Sequence, residues 1–397
     1  GRIHEMDYGT RKLPLKPHHS ANQDKMPITK TTLTPRQHGF AMPAEWTPHQ
    51  GTILAYPHNK NDWPGKFQPI KWVFADIVRH LSQVETVYVL CGSHKEADVM
   101  TAACRKAGAN LDKVSPLIIP TDRIWTRDSG PIFVSKNKPN GSTETAFVDW
   151  QFNAWAKYDN YHSDREVPQL FNRAMHHRWY TWKPVNDNGK RVILEGGSID
   201  VNGQGILMTT CECLLDKKTQ PRNPSMDQAQ IESVLADYLG VTDFLWLEKG
   251  IVGDDTHGHI DDTARFVNAD TIVCAFTENT QDENHAILTA NEQTLKQFRT
   301  HSGKSLDIVR LPMPSTPLYF DKVRLPASYA NFYIANGIVL VPTFNDPNDR
   351  IALGIIAELF PQRKVIGIHA LDLVWGFGTL HCMSQQIPEG SPWQPQD

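Results

Sequence analysis

Apolar positions in this chain follow two periods. Short runs that alternate or are continuously apolar, such as Thr52–Tyr56, Thr86–Cys91, Ile206–Thr210 and Thr271–Phe276, predict strands. Longer stretches with a period near 3.6 predict helices, including one over Pro69–Val84 and one that carries Ile231, Val234, Leu235 and Leu239 on a single stripe. Helix starts are marked by capping boxes at Ser93/Glu96, Ser163/Glu166 and Ser225/Gln228. Asp346 precedes a proline suited to the first helical position, and a weaker start near Asp282 opens a helix from His285 to Gln297. The starts at 163, 225, 282 and 346 are 62, 57 and 64 residues apart.

Each of these helices follows a predicted hairpin. Ser198–Val201 and Ile206–Thr210 flank Asn202-Gly203, Ala264–Val267 and Thr271–Phe276 flank Asn268–Asp270, and Asn331–Ile334 and Ile338–Pro342 flank Asn336-Gly337. An earlier hairpin joins Pro131–Ser135 to Thr145–Trp150 around Asn140-Gly141. Asn-Gly pairs adopt the positive φ angles that tight hairpins need. A short strand follows each helix: Asp243–Leu247, Leu306–Leu311 and Lys364–Ile368. The pattern yields five units of roughly 60 to 70 residues, the first of them irregular. A closed ring of αβ modules with internal pseudosymmetry is expected. A doubly wound sheet is the alternative, but hairpins argue against an all-parallel sheet.

The 397 residues alone suggest two or three domains; the repeat replaces that with one domain over residues 39–397. Residues 1–38 carry seven Lys/Arg against three Asp/Glu and no apolar segment, and read as a flexible N-terminal tail or an expression remnant. A net charge of −4 disfavours nucleic acid as a partner, and no run approaches 18 apolar residues, so no membrane span is expected. Six cysteines without a Cys-x-x-Cys pair read as reduced thiols in a cytoplasmic setting.

The chemistry-bearing clusters share one phase of the repeat, just ahead of the hairpin strand. They are Trp125-Thr126-Arg127-Asp128-Ser129-Gly130-Pro131, Glu195-Gly196-Gly197 and Asp254-Asp255-Thr256-His257-Gly258-His259-Ile260-Asp261, with Asn331 in the fourth unit and Cys382 after the last core segment. Equivalent positions of a pseudosymmetric ring converge, so these groups are expected in one cavity. Each has a structural reading as well: a local ion pair, a turn, or a packing thiol. Two chemistries compete for the set. His257, His259 and Asp261 on alternate positions of a strand would face one ion, as in a metal-dependent hydrolase. The thiol reading uses more of the residues and needs no cofactor. In it, Asp128 and Asp261 clamp a planar guanidinium, Cys382 attacks its carbon, His259 shuttles the proton and Glu195 supports the imidazole.

At these residues the sequence resembles the agmatine deiminase and bacterial-type peptidylarginine deiminase family of the guanidine-modifying pentein superfamily. The resemblance runs from about Met42 to about Pro388. It rests on Met42-Pro43-Ala44-Glu45-Trp46, Trp125-x-Arg127-Asp128-Ser129-Gly130-Pro131, Asp149-Trp150-x-Phe152-Asn153-Ala154-Trp155, Glu195-Gly196-Gly197, Gly258-His259-Ile260-Asp261, Leu325-Pro326-Ala327-Ser328-Tyr329-x-Asn331-Phe332-Tyr333, and His381-Cys382 with Gln385-Gln386. It implies a fivefold α/β propeller and hydrolysis of a guanidine to a ureido group with release of ammonia. The substrate implied is a small cationic guanidine, agmatine first and arginine residues of a protein second, and such proteins often form homodimers. By the same resemblance Cys382 is similar to the nucleophile, His259 to the acid/base and Asp128 and Asp261 to the clamps. Asn331 lines the cavity beside the thiol, and Trp125, Asn153 and Trp155 wall the substrate channel. Trp375-Gly376-Phe377-Gly378-Thr379 replaces the family's glycine run before His-Cys, His257 stands where Asn is common, and the loop between Pro312 and Leu325 is short. Those departures bear on the tail of the substrate.

Overall fold

The computed structural model describes residues 33–395. Residues 1–32, most of the expected tail, lie outside the described residues; Arg36–His38, the tail's last three residues, form a 3-10 turn. The fold is mixed α/β. Five sheets repeat one connection: an antiparallel strand pair, a helix, and a strand returning parallel to the second of the pair. Ile132–Asn137 and Thr143–Val148 are joined by Thr181–Trp182, Asp200–Val201 and Ile206–Thr210 by Asp243–Leu247, Ala264–Asn268 and Thr271–Phe276 by Asp307–Pro312, and Tyr333–Ala335 and Ile338–Thr343 by Lys364–His369.

The irregular first unit has a simple cause. Its outer strand is Gln385–Pro388, which pairs antiparallel with His49–Ala55 from the other end of the described chain, while Thr86–Cys91 pairs with it in parallel. Val114–Ile118 adds a fourth strand beyond. A sequence scan that expects hairpin partners to be neighbours cannot find such a pair.

Local chemistry fixes the helices, sometimes at positions other than those expected. Ser93 caps His94–Ala107 as predicted, accepting the Glu96 N–H at 3.2 Å. The box before Gln228–Leu239 is Asp227/Gln230 instead of Ser225/Gln228: the Asp227 carboxylate and the Gln230 amide each accept the other's backbone N–H at 2.9 Å. Ser163 caps nothing, because Asp122, from a different unit, accepts the Ser163 and Asp164 N–H groups and the segment splits into His162–Arg165 and Val167–Ala174. Asp346 does support the last helix, accepting the Asn348 N–H, but Pro347 is the cap and not the first helical residue. Gly141, Gly203 and Gly337 turn the hairpins with φ of 82°, 69° and 70°.

The inner strands, such as His49–Ala55, Thr86–Cys91, Ile206–Thr210 and Ile338–Thr343, are buried on both faces. Ile53, Leu54, Val87, Val89, Val339, Leu340 and Val341 lie in one continuous apolar cluster with the helix residues Ile70, Phe74 and Val78. In each unit the loop ahead of the first strand is therefore held against rigid backbone, which is where the polar clusters lie.

Candidate active site

Four of those loops carry the expected residues to one place. Thr126–Ser129 is a single helical turn that presents Asp128. Glu195 opens the 3-10 turn Gly196–Ser198, and His259 opens the 3-10 turn Ile260–Asp262. Cys382 stands three residues before the strand that completes the first sheet.

The two glycines after Glu195 allow the turns to meet. A Cβ on Gly197 would lie 2.6 Å from His259 Nδ1, 2.9 Å from Asp128 Oδ1 and 3.0 Å from Asp261 Oδ2, so one missing methyl is the space in which these three groups gather. Gly197 also donates its N–H to Asp128 Oδ1 at 3.0 Å, and the Trp155 indole N–H donates to Asp128 Oδ2 at 2.9 Å. Trp155 is held for this by an unusual backbone with φ of 58°.

Asp261 and Cys382 are joined through His381 and Asn331. His381 Nδ1 lies 2.8 Å from Asp261 Oδ2 and its Nε2 lies 2.7 Å from Glu45 Oε2; facing carboxylates on both sides, the ring satisfies both only by donating from both nitrogens. Glu45 also accepts from Arg265 at 2.9 Å and from the Ile334 N–H at 2.7 Å. The Asn331 amide donates to Cys382 Sγ at 3.2 Å and to Asp262 Oδ1 at 3.0 Å, while its oxygen accepts the Thr379 hydroxyl and the His381 N–H. Cys382 Sγ is 3.7 Å from Asp261 Oδ2.

Glu195 is buried and pairs with Arg222 at 2.9 Å, not with the imidazole; its second oxygen has no partner. It lies beside His259 all the same: one ligand-type atom each of Glu195, Cys213 and His259 fall within 4.8 Å of one another. Asp261, Asp262 and Cys382 form a second such group. Buried polar groups are almost always hydrogen-bonded, yet both His259 nitrogens, Asp261 Oδ1 and Glu195 Oε2 are buried without a hydrogen-bond partner among the described residues, all at this one locus.

The electrostatics follow from this crowding. Burial pushes the Asp128 carboxyl up to about 6, reinforced by Asp261 and Glu195 against the pull of His259 and Trp155. Asp261 stays below the ordinary carboxylate range although burial opposes it, because His381, His259 and Arg265 favour its charge. Burial also opposes charge on His259, but Asp128, Cys213 and Asp261 hold its imidazole well above the usual range. Burial and the carboxylates Asp261, Asp262 and Asp128 push the Cys382 thiol well up. A guest with positive charge would relieve the raised Asp128 carboxyl and favour the thiolate.

A cavity of about 340 Å³ leads to Cys382 and Asp128. Its walls include Trp125 and Trp155, as the resemblance implies. Asn153 is not among them; its side chain accepts the Ala156 N–H and caps the 3-10 turn that carries Trp155. Asn331 touches the thiol from behind and does not line the cavity. A larger cavity of about 950 Å³ lies among the hairpin turns around Gly203 and Gly390 and holds none of these groups. The metal reading is corrected by the backbone. Residues 257–261 are turns, not a strand, His257 has a left-handed φ of 67°, and its Nε2 sits 3.3 Å from Asp216. Among the described residues, neither group able to gather round an ion contains His257.

The profile of the Porphyromonas-type peptidyl-arginine deiminase family matches residues 41–388. The chain belongs to this family. Its members are guanidine deiminases, so the protein is a hydrolase acting on a C–N bond of a guanidine. Among its relatives, the agmatine deiminase of Ectopseudomonas mendocina is 32% identical, with 91% of this chain and 99% of that protein covered. The agmatine deiminase of Enterococcus faecalis, solved catalysing its reaction, superposes with a TM-score of 0.80 at 30% identity over 91% of this chain and 99% of its own. A C. jejuni agmatine deiminase, solved with substrate bound as a cysteine-to-serine variant, gives a TM-score of 0.77 at 29% identity over 88% of this chain and 97% of its own.

Sequence reasoning missed several site residues. His381 and Glu45 stand in the family's motifs without an assigned role, and Gly197 was read only as part of a turn. Arg222 and Cys213 carried no signal, since their approach to Glu195 and His259 depends on tertiary packing.

Proposed function

We propose that the protein is an agmatine deiminase, hydrolysing agmatine to N-carbamoylputrescine and ammonia through a covalent intermediate on Cys382. The observation that carries this reading is the meeting of Asp128, Asp261 and His259 around the space left by Gly197, with the Cys382 thiol 3.7 Å from Asp261. A guanidinium entering there gives its N–H groups to Asp128 and Asp261. Its charge favours loss of the thiol proton to solvent, and the thiolate adds to the guanidinium carbon. The C–N bond to one terminal nitrogen breaks as protonated His259 donates to it, and ammonia leaves. Neutral His259 then takes a proton from water, whose oxygen adds to the same carbon; the C–S bond breaks, freeing the ureido product and the thiol. Glu195 acts on His259 through its charge. The five sheets of one connectivity support a fivefold pseudosymmetric α/β propeller as the scaffold, in a single catalytic domain.

Ammonia and ureido formation measured side by side with agmatine, free arginine and a blocked arginine peptide tests the reading. Agmatine should be turned over best. Turnover of the peptide but not agmatine would overturn the proposal and favour the peptidyl-arginine reading that the family's name carries.

The acid limb is a second test. With Asp128 raised to about 6, the free enzyme carries the ionised clamp only above that pH. As pH falls through 6 the clamp protonates, so kcat/KM should drop about tenfold per unit below it and recover on raising the pH. A pH profile that stays level down to pH 5 would remove Asp128 from substrate binding.

A further inference from the structure

We propose that Asp62 reads the end of the substrate's tail, selecting a guanidine whose chain ends in a primary ammonium over one that ends in a carboxylate or in backbone amides. This inference rests on the deiminase reading and extends it to the other end of the substrate.

Three carboxylates stand on the wall of the catalytic cavity: Asp128, Asp255 and Asp62. Asp128 faces the thiol and belongs to the guanidinium. Asp255 is already engaged, by the Lys157 ammonium and by the Tyr158 hydroxyl at 2.7 Å. Asp62 differs from both. Its Oδ1 accepts the Asn59 amide at 3.0 Å, which fixes the carboxyl, and its Oδ2 is buried with no hydrogen-bond partner among the described residues. A buried carboxylate oxygen lacking a donor is a costly arrangement unless a ligand supplies one. Burial accordingly pushes this acid up to about 6, with only Arg123 pulling the other way.

Arg123, the cation on the same wall, is held in place by Asn160 and Tyr158. Nη1 and Nη2 donate to the Asn160 carbonyl and side-chain oxygens at 2.8 Å each, and its face lies 4.4 Å from the centre of the Tyr158 ring. A carboxylate tail reaching Asp62 would meet a like charge. An ammonium there meets an unpaired acceptor, in a cavity also lined by Trp125, Trp155, Phe320 and Trp375, whose rings suit the methylenes of the chain.

The test compares agmatine with n-butylguanidine, which keeps the guanidine and the four-carbon chain but lacks the ammonium. In the wild-type protein kcat/KM should favour agmatine. Asp62→Asn should raise KM for agmatine by about 30-fold or more with kcat changed less than about threefold. It should leave both constants for n-butylguanidine unchanged, which also reports that the variant is folded. If Asp62→Asn lowers activity on both compounds alike, or keeps the wild-type ratio between them, the inference fails while the deiminase reading stands. If the wild-type protein takes a blocked arginine peptide and neither of these compounds, the inference and the agmatine reading fail together.

Discussion

Cys382→Ser and Cys382→Ala should each lower the rate of ammonia release from agmatine by about 10⁴-fold or more while agmatine still binds. Removing a nucleophile that acts as part of a unit removes nearly all covalent catalysis, whereas the carboxylates that would hold the guanidinium stay where His381, Trp155 and the Gly197 N–H put them. Calorimetric titration of the variants with agmatine, alongside the ammonia assay, separates the two effects. The same electrostatics predict how the wild-type thiol reacts. In the empty site it is buried among carboxylates and held protonated, so a neutral alkylator should modify it slowly. A haloacetamidine, which brings a cation of its own, should modify it much faster and protect it from later labelling. EDTA should leave turnover unchanged. Activity that survives Cys382→Ala and disappears with EDTA would overturn the thiol mechanism.

The second large effect is expected from a residue with no side chain. Gly197→Ala places a methyl 2.6 Å from His259 Nδ1 and within 3.0 Å of Asp128 and Asp261, closer than carbon atoms approach such neighbours without displacing them. The side chains can move only by giving up the geometry that gathers them, so kcat should fall by about 10³-fold or more. A placement error of about 1 Å already costs on the order of 10²-fold. Gly196→Ala is the useful comparison. Its methyl would strike the Arg127 carbonyl oxygen at 2.3 Å, which is backbone, so its damage should appear first as a lowered Tm and poor yield. A Gly197→Ala protein with wild-type kcat would mean that the three groups do not act together.

Much of this was legible in the sequence because the information was local and repeated. Strands such as Thr86–Cys91 and Asp243–Leu247 were readable to the residue, since apolar runs bounded by caps and turns leave few alternatives. The shared phase of Asp128, Glu195, His259 and Cys382 ahead of successive strands was enough to expect them together. What was not legible came from distance. The partner of His49–Ala55 lies more than 300 residues away in sequence, Asp122 accepts the Ser163 N–H that Glu166 was expected to serve, and Asp227 outcompetes Ser225 by two positions. His257 matters only to the metal alternative, which needs it on one strand with His259 and Asp261. Gly258 and the left-handed turn at His257 remove that geometry and send the ring to Asp216.

The strand Gln385–Pro388 has one consequence in time as well as in space. Glu45, Asp128, Glu195, His259, Asp261 and Asn331 all precede Cys382 in the chain, and the strand that closes the first sheet comes later still. Synthesis runs from the N-terminus, so the acidic cradle for a cation is made before the sulfur that would react with it, and the sheet that fixes that sulfur is completed after both. Until residue 382 is made, a nascent chain therefore lacks the thiol on which the proposed reaction depends.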